Sequence, residues 1–217
     1  MKATLTKLLK ENRSFLLFLV LMFAFRSSFA DWNSVPTGSM KPTIIEGDRI
    51  LVNKLAYDFK LPFTNVSLQR LSEPQRGDIV VFNSAVANKR LVKRLIGLPG
   101  DVVALHDNQL FINSEPAQYS EMQPDGDSLI ATEQIAGFQH RVRVATGPIS
   151  ASHSFGPVTV PADHYLMLGD NRDNSADSRF IGFVPRTELV GRSQTVVLSF
   201  DYDDYYLPRS DRFLHSL

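Results

Sequence analysis

A mainly β fold behind one apolar N-terminal segment is what this sequence predicts, and three observations predict it. Beyond residue 31 the apolar residues fall into short strand-like runs: RILVNKL (49–55), GDIVVFN (77–83), RLVKRLI (90–96), DVVAL (101–105), QLFIN (109–113), HRVRVA (140–145) and QTVVLSF (194–200). Gly, Pro, Asp and Asn bound these runs, and no long segment with a 3.6-residue period competes with them. Ahead of them a basic head precedes the unbroken run FLLFLVLMFAF from Phe15 to Phe25.

That head carries Lys2, Lys7, Lys10 and Arg13 against the single acid Glu11, the pattern of an export signal whose positive end stays in the cytoplasm. The apolar run alone would rise about 16 Å as a helix, against roughly 30 Å of hydrocarbon. Extended to Ser14–Ala30, with Arg26 snorkelling and Phe29 and Trp32 at the interface, it reaches about 25 Å and spans with local bilayer thinning. The same stretch ends in Ser28-Phe29-Ala30, the small-x-small form of a cleaved signal peptide. On the residues alone, anchor and cleaved signal both stand. Either way, everything after Asp31 is delivered outside.

Among the later elements, His106-Asp107-Asn108 predicts a hairpin turn, and residues 114–139, rich in Glu, Gln, Ser, Pro and Gly, predict irregular structure. With 217 residues and 43% hydrophobic content the chain can build a real core in one or two domains. Lys plus Arg and Asp plus Glu both number 23, so no net charge draws the protein to nucleic acid. The absence of Cys excludes disulfides, thiol catalysis and thiolate metal sites.

Three segments carry chemistry. In PTGSMKP, Pro36 and Gly38 precede Ser39 and Pro42 keeps Lys41 extended, which puts Ser39 on an exposed turn. A serine there is either a turn former or a nucleophile. The G-x-S-x-G and S-x-x-K patterns both fail around it. None of His106, His140, His153, His164 and His215 sits in a motif that offers a base. In RLVKRLIGLPGD, strand alternation puts Leu91, Lys93 and Leu95 on one face and Arg90, Val92 and Arg94 on the other. Lys93 is then either a base whose pKa is lowered by burial or part of a solvated basic edge with Arg90 and Arg94. Near neutral pH the first role needs a depression of about 3 units. The third segment, GDNRDNSADSR (169–179), fits no calcium loop, and by itself remains open to a polar surface turn.

Together the three segments resemble the bacterial type I signal peptidase family, membrane-bound serine proteases with a serine-lysine dyad. The resemblance rests on VPTGSMKPTI with GDRILVNK, RGDIVVF, KRLVKRLIGLPGD and VPADHYLMLGDNRDNSADSRFIGFVP, in family order. It implies a β catalytic core at 31–105 and 158–217, a smaller β-rich subdomain inserted at 106–157, a cytoplasmic N-terminus at 1–13 and a membrane anchor at 14–30. Many members carry a further helix and cytoplasmic loop upstream, which this sequence does not show. The resemblance makes Ser39 the nucleophile, Lys93 the general base, and the Ser39 N–H with the Thr37 hydroxyl the oxyanion hole. Ser175 would orient the lysine, with Asp177 and Arg179 bracing the site. Val35, Met40, Ile44 and Val92 would line shallow pockets for small side chains. The implied substrates are preprotein signal peptides cut after Ala-x-Ala-like sites on the outer face of the bacterial inner membrane. The lipid bilayer is a partner, and no cofactor, metal or nucleic acid is implied. Rival readings are an exported, catalytically silent peptide-binding β module, a peptidase dedicated to one conjugation or secretion system, and a self-cleaving repressor, whose DNA-binding domain is replaced here by an export segment.

Overall fold

The computed structural model describes residues 12–64, 66–147 and 154–217. The head with Lys2, Lys7, Lys10 and Glu11 lies outside these residues, as does His153. Helix α1 (Arg13–Ser28) covers the predicted apolar segment and is closed by the Phe29 N–H donating to Phe25 O at 2.8 Å. Its apolar side chains stand clear of the rest of the chain: Phe15, Leu17, Phe18, Val20, Leu21 and Phe25 are exposed, and only Ser28 is buried. The helix rises about 24 Å. Among the described residues no helix is long and apolar enough to cross a membrane.

Everything after α1 is built on strands. The chain first lays down β1 (Ala30–Ser34), β2 (Asp48–Asn53), β3 (Asp58–Lys60), β4 (Ser67–Arg70), β5 (Ile79–Ser84) and β6 (Lys89–Gly97). It then leaves through β7 (Val102–His106), β8 (Gln109–Ile112), β9 (Glu115–Pro116), β10 (Gln118–Asp125), β11 (Ser128–Ile135), β12 (Phe138–Ala145) and β13 (Phe155–Thr159). It returns as β14 (His164–Leu168), a single helical turn α2 (Ser178–Ile181), β15 (Val184–Pro185), the long β16 (Leu189–Asp201), β17 (Leu207–Pro208) and β18 (His215–Ser216).

The main sheet runs in the order β1-β2-β16-β5-β6-β14-β15, with β17 and β18 on β16. Its pairings are antiparallel, as alternating apolar and polar residues on strands with one wet face require. Alternation on β6 works for the aliphatics: Leu91 and Leu95 pack with Val80, Phe82 and Met167, whereas Val92 packs with Val81, Met40 and Ile44. A solvated basic edge does not form. Arg90 is exposed, but Arg94 is buried and ion-paired to Asp170, because an unpaired guanidinium could not be held there.

Among the described residues, the excursion between β6 and β14 is built from strands and turns. β7–β8 close the predicted hairpin through Asp107 and Asn108, both at positive φ, as a two-residue turn of the primed type demands. Residues 114–139 correct the expectation of irregular structure, since β10, β11 and β12 form a three-stranded antiparallel sheet joined at Gly126 and Gly137. β10, QYSEMQPD, is wet along nearly its whole length and bulged between Ser120 and Gln123. A strand with no buried face leaves no period-two signal to read. The excursion shares one apolar core with the returning strands, through Ile96, Val103, Leu105, Leu110, Ile135, Leu166 and Leu168.

Candidate active site

The turn carrying Ser39 is held at both ends and from beneath. The Val35 N–H donates to Asp48 O at 2.9 Å and the Gly47 N–H to Val35 O at 3.1 Å, which closes the loop between β1 and β2. Met40 and Ile44 sink into the core with Val35, Ile50 and Val196. From the third segment, Asn171 donates its backbone N–H to Ser39 O (3.1 Å) and its side-chain amide to Gly38 O (2.9 Å). Gly169 allows the approach: a Cβ there would lie 2.5 Å from Ser39 O and 2.2 Å from Ser175 Oγ. Ser39 itself stays half-exposed, and among the described residues its own N–H is unclaimed.

Lys93, 54 residues further on, lies on β6 with its Nζ 2.6 Å from Ser39 Oγ. It is 2% exposed. Burial lowers its pKa to about 8, against the opposing pull of Asp177 and Asp170. Neither carboxylate is free to pair with it. Asp177 accepts from the Gly169 N–H (2.9 Å) and is clamped by Arg179 at 2.8 Å, while Asp170 is clamped by Arg94 through two bonds of 2.8 and 2.7 Å. Burial alone would raise both acids, but these arginines hold them below the ordinary carboxylate range. When the amine is neutral it can accept the hydroxyl proton of Ser39, its one hydrogen-bond partner among the described residues.

A cleft of about 390 Å³ opens beside the pair, and Val35, Thr37, Met40, Ile44 and Val92 all line it. Trp32, Lys89 and Arg90 line it as well, and no motif marks them for that place. Thr37 is exposed. Ser175 departs from expectation. It is buried against Gly169 with Asp177 nearby, and among the described residues its Oγ makes no hydrogen bond to Lys93. The amine's contact goes to Ser39 instead.

A charged cluster that no sequence motif marks lies beside the pair. Thr43 Oγ1 donates to Asp170 at 2.6 Å, and His140 sits 3.7 Å from Asp170 and 3.5 Å from Glu133. Glu133 takes two bonds from Arg172 (2.8 and 2.6 Å) and one from Tyr119 (2.6 Å). Burial pushes the His140 pKa down to about 4, so the ring is neutral at pH 7 and carries no charge into the cluster. Asp170 and Arg172 are visible in the third segment, but β11 and β12 supply Glu133 and His140 with no motif around either.

A family model described as "Signal peptidase, peptidase S26" matches residues 7–198. A signal peptidase I of Pseudomonas fluorescens is 36% identical over 209 residues, covering 89% of this chain and 73% of that protein. One from Pseudomonas aeruginosa is 34% identical over 222 residues, covering 91% of this chain and 77% of its own. A solved signal peptidase I from Enterococcus faecalis V583 is 29% identical, with 56% of this chain and 97% of that one covered and a TM-score of 0.37.

Proposed function

The chain belongs to the signal peptidase family, peptidase S26, and is a serine endopeptidase; on that premise we propose that it removes signal peptides from exported preproteins with Ser39 as nucleophile and Lys93 as base. The observation that carries this reading is the 2.6 Å contact between a half-exposed hydroxyl and a buried amine with no carboxylate partner. Ser39 Oγ attacks the scissile carbonyl carbon as its proton passes to the neutral Lys93 Nζ. The oxyanion is met by the Ser39 N–H and the Thr37 hydroxyl. On collapse, the Lys93 ammonium returns the proton to the departing amine nitrogen, leaving an acyl ester on Ser39. Water then attacks that ester, with Lys93 as base again.

Substrate would lie extended in the cleft, held by backbone bonds as an added strand. Val35, Met40, Ile44 and Val92 form the apolar floor. Met40 and Ile44 are already packed into the core, so the floor is shallow and admits side chains of alanine size one and three positions before the cut. Helix α1, with its bare apolar surface, serves together with its flanking residues as the anchor in a locally thinned bacterial inner membrane. The N-terminus is then cytoplasmic and the catalytic domain on the outer face. Intact mass of protein taken from membranes tests the anchor: a chain beginning at Asp31 would end that reading.

The mechanism is tested by cleavage of a model preprotein in detergent by the wild type, Ser39→Ala and Lys93→Met. Losses on the order of 10⁴ or more are expected from each, with the fold retained by circular dichroism. Substantial cleavage by either folded variant would remove the dyad. Chelator should leave the wild-type rate unchanged.

A further inference from the structure

A second cavity, of about 230 Å³, lies at the foot of α1. Its wall carries three cations, Lys54, Lys60 and Arg90, and the hydroxyl side chains of Ser27, Ser28 and Thr64. Negative charge is short there. Asp31 holds Arg26 at 2.8 Å and stands 3.5 Å from Lys54 and 3.8 Å from Arg90, so one carboxylate serves three cations. Lys54 also donates to the last carbonyls of α1, Arg26 O at 2.9 Å and Ser27 O at 3.1 Å. Lys60 donates to Leu189 O at 2.5 Å, and its acidic neighbour Asp58 is ion-paired to Arg186 at 3.3 Å. Burial leaves both lysines below the ordinary lysine pKa.

An independent observation points into the same space. Ser28, in the cavity wall, is 1% exposed, and among the described residues its Oγ has no hydrogen-bond partner. Buried hydroxyls are seldom left so. An acceptor-rich anion in the cavity would satisfy the hydroxyl and the surplus cations together.

The place selects the anion. The cavity sits where the apolar helix meets the folded domain, the level at which headgroups lie if α1 is embedded. We propose that this cavity binds the phosphate of an anionic phospholipid headgroup, with Lys54, Lys60 and Arg90 as counter-charges and Ser28 Oγ as a hydrogen-bond donor. This rests on reading α1 as the membrane anchor. Arg90 also lines the substrate cleft, so a filled site fixes a residue at the cleft's border and couples lipid to substrate placement.

The full chain in neutral detergent would be titrated with dihexanoyl phosphatidylglycerol, dihexanoyl phosphatidylcholine and inorganic phosphate. Binding would be read by calorimetry and by Trp32, the chain's single tryptophan, whose ring lies 4.6 Å from the Arg26 guanidinium. Saturable phosphatidylglycerol binding is expected, about tenfold tighter than either alternative. Lys60→Gln, which keeps a donor for Leu189 O, should weaken it about tenfold, and Ser28→Ala, which breaks no bond within the protein, about threefold or more. Unchanged affinity in both variants, or no preference over phosphatidylcholine, would overturn the site. Inorganic phosphate binding as tightly as the lipid would overturn the headgroup assignment. Carbonate extraction of membranes separates the two readings: a chain released by the wash sinks the anchor even if the short-chain lipid binds, whereas a retained chain whose variants bind like wild type sinks only the site.

Discussion

Lys93 and Arg94 are neighbours on one strand, both buried, and they live under opposite electrostatic rules. Arg94 has a carboxylate of its own, Asp170, held through two short bonds, and the arginines beside it are equally well matched: Arg172 to Glu133 and Arg179 to Asp177. Lys93 alone among these buried cations has no carboxylate, only a hydroxyl. The paired region keeps its charges and fixes the backbone of the third segment under Ser39. The unpaired position can shed its proton near pH 8. Around the same turn, one kind of burial builds rigidity and the other leaves an amine that sheds its proton easily, and the difference lies in where the acids are already committed.

Substitutions can break that contrast in graded ways. The largest effect is expected from Lys93→Arg, which leaves a cation that does not deprotonate in proteins: preprotein cleavage should fall on the order of 10⁴-fold or more while the fold persists. Next, Asp170→Asn strips Arg94 of its counter-charge and should cost about 3–5 kcal/mol of stability by urea unfolding. Thr37→Val should leave stability alone and lower kcat by about 10²- to 10³-fold, the usual loss for one oxyanion donor. Arg94→Lys is the mildest, since charge is retained but the fork on Asp170 and the bond to Gly77 O at 2.8 Å are lost. About 1–3 kcal/mol of stability should go, with the pH profile of cleavage unmoved.

The two regions were also unequally legible. The segments around Ser39, Lys93 and Gly169 announce themselves because each needs particular residue types within a few positions: prolines and glycines to shape a turn, one lysine among leucines, a run of acids and amides. The paired cluster needs only charge complementarity across the fold, which any sufficiently placed Glu or His supplies, so Glu133 and His140 left no local trace. The same reason hid β10, whose residues meet water on both faces, and made Arg94 look like part of a wet edge. Ser175 shows the reverse limit, where a motif position was readable and its contact was not. The short strand runs, by contrast, were visible wherever one side of the strand is dry, from β2 to β16.

An amine at Lys93 that loses its proton near working pH can be followed directly by titrating that one nitrogen. The full chain labelled with ¹³C and ¹⁵N at lysine would be followed by NMR from pH 6 to 11, with Lys93→Met identifying the resonance. Since the folded pKa lies below the ordinary 10.5, the amine should lose its proton through a midpoint near 8, and the rate of cleavage should climb about tenfold per pH unit below it. A midpoint at the ordinary lysine value, with activity indifferent to pH between 6 and 9, would contradict it.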